Sequence, residues 1–290
     1  MASTQSSISS KFPEGYGDFA IQSSDNVICY FPSQVLSHVS SVFRDMLKVA
    51  TPDEGGKPLA IDESIQDLEN LLTHIDPNTI SVSIEPDNIQ QLLKMADKYH
   101  VRRILRWFEH EATISKANSL HSNTQESFTS THPGLALELA IQFDLKDTGR
   151  VALRELAGRD LGSVLENDRA FIPLVIREIY QMQRVRLDQY YPWISLLTTS
   201  NSRQCYTCNV KSRQWFIKMV QEIQRTPSWK SFDKLCREHE GTSCSAKDCT
   251  GMVSPFSSYR YSGWREEARN AESVLPEWPF SKPGDSVGAP

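Results

Sequence analysis

The sequence predicts an α+β amino-terminal module, a short sheet with helical hairpins, followed by an all-α carboxy-terminal region. Three observations lead there. Strand-like runs, FAI, VICYF and LAID, lie before residue 63, and no strand-like alternation follows residue 133. Elsewhere apolar residues recur at spacings of three and four, the helical period. Charge and cysteine also shift along the chain. Residues 15–118 hold 9 Lys/Arg against 15 Asp/Glu, a net of −6, whereas residues 119–290 hold 21 against 20, a net of +1. Five of the six cysteines lie between Cys205 and Cys249. For a chain of 290 residues these shifts indicate at least two modules.

Each element has a local reason. The first ten residues are rich in Ser, Thr and Gln, and residues 1–14 are expected to be disordered. In DFAIQSSDNVICYFP, two apolar runs flank a polar segment in which Asp25-Asn26 favours a tight turn, which predicts a β-hairpin. SQVLSHVSSVFRDML reads as two short helices meeting near Ser40. Leu59-Ala60-Ile61-Asp62 fits a third strand. SIQDLENLLTHI opens on Ser64 with Asp67 three residues later, a capping-box variant, and Asp76-Pro77-Asn78 ends it. NIQQLLKMADKYHVRRILRWFEHEAT carries two stripes, Ile89/Leu92/Leu93/Ala96 and Val101/Ile104/Leu105/Phe108. The break near His100 predicts two helices.

Residues 119–131 read as a Ser/Thr/Asn-rich linker. Residues 132–250 read as a helical domain. Its stripes include Leu135/Leu139/Phe143, then Val151 to Leu161, then Phe171 to Met182, then Trp215 to Ile223, with a shorter helix from Ser228 to about Cys236. Residues 251–290, rich in Ser, Pro and Gly, are expected to be an extended tail in which Trp264, Trp278 and Phe280 could dock.

The first module resembles a BTB/POZ domain over residues 15–118, in concrete pieces. Gly17-Asp18-Phe19 is similar to the opening G-D-hydrophobic of the family's first strand. Val35-Leu36 and Ser40-Ser41-Val42-Phe43 resemble the pattern of its first helical hairpin. Leu92-Leu93-Lys94-Met95-Ala96-Asp97-Lys98-Tyr99 closely matches its "LL.lAdKY" helix. Pro32 departs from the His or Asn that many members carry near that point. The whole layout resembles the BTB proteins of basidiomycete fungi. Within ADKY, Ala96 allows close packing, Asp97 and Lys98 are expected to be solvated, and Tyr99 buries its ring while its hydroxyl finds a partner.

The resemblance implies a protein–protein interaction module that forms homodimers or heterodimers through the first strand and first helices. Asp18 sits where the family has an acid near the dimer interface, though it also reads as a strand-start surface acid. Val35, Val39 and Val42 are the apolar residues expected to supply core and dimer contacts. Some BTB proteins are cullin-3 ubiquitin-ligase adaptors with a hydrophobic-x-Glu feature after the helical hairpin. Here that stretch is KVATPDEGG, without a clean match. The alternative is a transcriptional regulator or chromatin-associated BTB protein.

Cys205-x2-Cys208 and Cys244-x4-Cys249 both have spacings that let two sulfurs converge on one ion. Four such ligands fit a structural zinc. Reduced, unliganded thiols are the other reading. Residues 203–249 carry 9 Lys/Arg against 5 Asp/Glu, and four thiolates with one zinc would erase part of that surplus, so direct nucleic-acid binding is not expected.

Several function classes are excluded. The chain has no G-x-G-x-x-G, G-x-x-x-x-G-K-[ST], G-x-S-x-G or H-E-x-x-H, and its histidines are scattered. It is therefore read as a non-enzyme. Asp62-Glu63 is explained by the dipole of a helix N-terminus. No run approaches the roughly 18 apolar residues of a membrane span. The opening MASTQSSISSKFPEGYG is not a secretory signal, which places the protein in the nucleus or cytoplasm with reduced cysteines.

Overall fold

The computed structural model describes residues 7–49, 57–79, 83–114, 116–117, 124–160, 162, 173–198, 206–239, 266, 270 and 278. The chain divides into two compact units. One comprises residues 1–128 with 139–145, the other residues 129–138 with 146–290.

The first unit is built on a four-stranded sheet in the order β1-β3-β2-β4. The hairpin of β2 (Phe19–Gln22) and β3 (Val27–Phe31) pairs Ile21 with Cys29, and both are fully buried. Its loop closes because Asn26 accepts a left-handed φ of 61° and donates its amide to the Ser23 carbonyl. Strand β4 (Leu59–Ala60) lies parallel to β2.

Residues 7–14, expected to be disordered, are placed against this sheet. Strand β1 (Ser7–Ile8) runs parallel to β3. Ser9 accepts the amides of Lys11 and Phe12, each at 3.1 Å, and donates to Glu69 at 2.5 Å. Phe12 is buried edge-on to Tyr16 and Phe31. One aromatic ring and one hydroxyl organise a stretch whose composition alone reads as polar.

Among the described residues five helices accompany the sheet up to residue 113: α1 (Ser33–Val39), α2 (Ser41–Val49), α3 (Ile65–Ile75), α4 (Pro86–Lys98) and α5 (Arg102–Thr113). Ser64 caps α3 by accepting the Asp67 amide, as its spacing predicts. Asp25 adds a second cap by accepting the Ile65 amide at 2.9 Å. The break between α4 and α5 is a left-handed turn at His100, with φ 52°. Strands β5 (Lys116–Ala117) and β6 (Thr124–Gln125) pair antiparallel, and α6 (Phe128–Thr131) follows, where a linker is expected. Helix α7 (Pro133–Phe143) is shared between the two units.

In the second unit lie α8 (Lys146–Ala157), α9 (Pro173–Thr198), α10 (Tyr206–Arg225) and α11 (Trp229–His239), each overlapping a predicted stripe, though α9 runs sixteen residues past Met182 and Leu161 and Phe171 lie outside the described residues. Tyr190, Met219, Ile223, Trp229, Phe232 and Leu235 form one buried cluster among its described residues. Arg186 is buried and donates to the Arg154 carbonyl at 2.9 Å and the Pro227 carbonyl at 3.4 Å, fastening α9 to the end of α8. A cation at a helix C-terminus meets both the unpaired carbonyls and the negative end of the dipole. No described helix is long and apolar enough to cross a membrane.

His74, in α3, carries a pH dependence. The Asn70 carbonyl, 2.8 Å from Nδ1, can only accept, so that nitrogen holds the proton. Nε2 is buried with no hydrogen bond among the described residues, and the ring packs edge-on to Trp107 at 4.9 Å. Burial holds its pKa below the usual histidine value against the Asn70 hydrogen bond, which raises it; Lys11 adds to the lowering and Glu85 opposes it. The unfolded chain therefore binds a proton first, and stability falls with pH through about 6.5. Urea midpoints between pH 7.5 and 5.5 are expected to decline for the native chain and less steeply for His74→Phe. Parallel declines would refute the assignment.

Candidate protein-interaction site

The entrance to β2 sets the geometry. A Cβ on Gly17 would lie 2.1 Å from the Phe31 carbonyl carbon and 2.4 Å from the Pro32 nitrogen. Only glycine lets the chain pass so close to the end of β3. That passage places Asp18 beside the start of α1. Its carboxylate accepts the Ser33 amide at 2.8 Å and the Ser33 hydroxyl at 2.6 Å. Pro32 occupies the N-cap position and offers no side-chain acceptor, so Asp18 supplies the cap from fifteen residues away. The Ser33 hydroxyl, then the Ser33 amide, hold the Asp18 carboxyl below the usual range. Pro32 thus disturbs neither the strand nor the helix.

Asp18 therefore positions α1, the helix bearing Val35 and Val39. Helix α2 bears Val42. All three valines are half-buried. Sequence reasoning missed the continuation of this face. Met46 and Val49 follow Val42 at i+4 and i+7, Met46 half-buried and Val49 79% exposed. That spacing was readable in the sequence. A neighbouring face of α2, about 100° round from Val42, carries Phe43, fully buried and stacked parallel on Tyr99 at 4.7 Å.

A polar anchor holds the hairpin in place. Ser40, between α1 and α2, donates to the Tyr99 carbonyl at 2.6 Å and accepts the Phe43 amide at 3.0 Å. Arg44 donates to the Ser37 carbonyl at 2.8 Å. The Tyr99 hydroxyl and the Lys98 ammonium both donate to Glu63, which is 8% exposed. Burial pushes the Glu63 carboxyl up, but the Lys98 and Tyr99 hydrogen bonds outweigh it and hold the group below its ordinary value. Burial, then Glu63, raises the Tyr99 hydroxyl, which stays protonated. Lys98 is solvated, as expected, and is ion-paired as well; one expectation is corrected, since Glu63 serves these two donors rather than simply a helix dipole.

Cys29 is a free, buried thiol, pushed up to about 11 chiefly by desolvation, so it is unreactive at neutral pH. Among the described residues no cluster of His, Cys, Asp and Glu is arranged to hold a metal. Cys205, Cys244 and Cys249 lie outside the described residues, and Cys208 is described only as backbone of α10.

This arrangement is a docking frame: a sheet and an anchored helical hairpin presenting a partly uncovered apolar face. Residues 10–114 match the family model of the BTB/POZ domain, so the first unit carries a BTB/POZ domain, a general protein–protein interaction module. No curated protein matches the chain.

Removing the remote cap is expected to loosen α1. Asp18→Ala should lower unfolding free energy at pH 7 by about 1 kcal/mol, the usual worth of an N-cap acceptor. Because the folded pKa is depressed, this contribution is present above the unfolded value near 3.9 and is lost as pH falls below it. Urea titrations of both proteins at pH 7 and pH 2.5 check this. An equal difference at both pH values would contradict it.

Proposed function

We propose that the chain is a dimeric interaction scaffold whose BTB/POZ domain self-associates through the outer face of α1 and α2. The observation that carries this reading is the apolar row Val42, Met46 and Val49 of α2, together with half-buried Val35 and Val39 of α1, on a hairpin anchored through Asp18, Ser40 and, by way of Tyr99, Glu63. A two-fold dimer buries one such patch against its copy. A related BTB partner offering a similar face gives a heterodimer by the same contacts. The four cysteines Cys205, Cys208, Cys244 and Cys249 close a structural zinc site in this reading, in a protein of the nucleus or cytoplasm.

Native mass spectrometry of the full chain tests both parts together. The expected wild-type species is twice 32.9 kDa with one zinc per chain. Val39→Asp should give the zinc-loaded monomer, because a charge buried at an apolar contact is not tolerated. Cys205→Ser with Cys208→Ser should give the metal-free dimer. A monomeric wild type rejects the dimer, and a metal-free wild type rejects the zinc site.

The two-module layout further supports recruitment of a client to a cullin-3 ubiquitin ligase, with the helical unit as the client-binding part. Purified cullin-3 is expected to be retained by the immobilised dimer. A dimer that retains none removes the adaptor reading and leaves the scaffold intact.

A further inference from the structure

Helix α8 has a glycine where helix propensity disfavours one. Gly149 lies in the first turns of α8 and is buried. Its missing side chain is replaced by a ring from far along the chain. A Cβ there would lie 2.0 Å from Cζ3, 2.2 Å from Cη2 and 2.9 Å from Cε3 of Trp278. The six-membered edge of the indole therefore rests directly on the helix backbone. Neighbouring Thr148 is fully buried, and its Oγ1 makes no hydrogen bond among the described residues. This part of α8 is covered ground rather than a solvated helix face.

The sequence around the ring suits a short docking segment. Trp278 stands in Leu275-Pro276-Glu277-Trp278-Pro279-Phe280. A residue before proline is confined to extended backbone, and here that residue is Trp278 itself. A segment restricted in this way loses little freedom on binding.

We propose that the Gly149 notch of α8 is a receptor for an aromatic side chain, and that Trp278 is its intramolecular ligand. The notch accepts an indole because any side chain at position 149 would occupy the same space. The indole in turn tethers the carboxy-terminal segment to the helical unit. This assignment is independent of the BTB/POZ face and of the cysteines.

The test uses the full chain labelled with 5-fluorotryptophan, which gives six 19F resonances for six tryptophans. Trp278→Phe identifies the Trp278 signal. In the wild type that signal is expected away from the free-indole position, with a small H2O/D2O isotope shift. Gly149→Ala should move it to the free position while the other five stay in place. A wild-type Trp278 signal already at the free position would overturn the proposal, as would one unmoved by Gly149→Ala. Because Gly149→Ala alters α8 itself, Trp278→Ala provides a second reading. Amide exchange over residues 146–157 should accelerate at least tenfold when the ring is removed, and unchanged exchange would overturn the proposal. A synthetic peptide of residues 272–284 should then bind Trp278→Ala saturably. Binding that is as strong to the Gly149→Ala, Trp278→Ala double variant would place the peptide elsewhere and count against the notch.

Discussion

A carboxylate taken out of water must be paired or give up its charge. Glu63, at the junction of β4 and α3, is taken out of water and keeps its charge because Tyr99 and Lys98 both donate to it. The requirement locks the end of α4. With its hydroxyl held by Glu63, Tyr99 turns its ring against Phe43 and its carbonyl toward Ser40. The α1–α2 hairpin is thus referenced to a buried charge on a different part of the chain, beyond its own end at Val49. From the other end, Asp18 holds the first turn of α1 through Ser33. Between these anchors the hairpin has little freedom to shift.

That rigidity bears on recognition. A partly uncovered apolar row on a mobile helix loses binding free energy to ordering, whereas one on a fixed hairpin does not. Buried Phe43 and outward Val42, adjacent in sequence, show how one helix serves both the core and the outer face. The division follows helical geometry, since neighbours in sequence point about 100° apart. The same economy recurs in the second unit, where Gly149 contributes by having no side chain at all.

Much of this was legible beforehand, for reasons that act over short distances. The hairpin turn at Ser23–Asn26, the Ser64 cap and the turn at His100 depend on residues within a few positions of one another. Helical spacing marked Val35, Val39 and Val42 as apolar positions of the hairpin, and the same spacing continues through Met46 to Val49. The order of residues 7–14 was not legible, because it rests on the isolated contacts Phe12 with Phe31 and Ser9 with Glu69. In the sequence Lys98 is like any surface lysine, and only the fold brings Glu63 to face it.

By itself, then, the sequence determined the class of fold and the order of the main helices and of the central hairpin. Periodicity, caps and turn residues are local and survive in any window of the chain. Tertiary structure alone decided which polar groups meet: Asp18 with Ser33, Glu63 with Tyr99, and the Trp278 ring with the bare backbone of Gly149. Such pairs are separated by fifteen residues or more and become neighbours only when the chain folds. What joins them is the need to satisfy every buried charge and fill every buried space, a condition on the packed whole rather than on any segment.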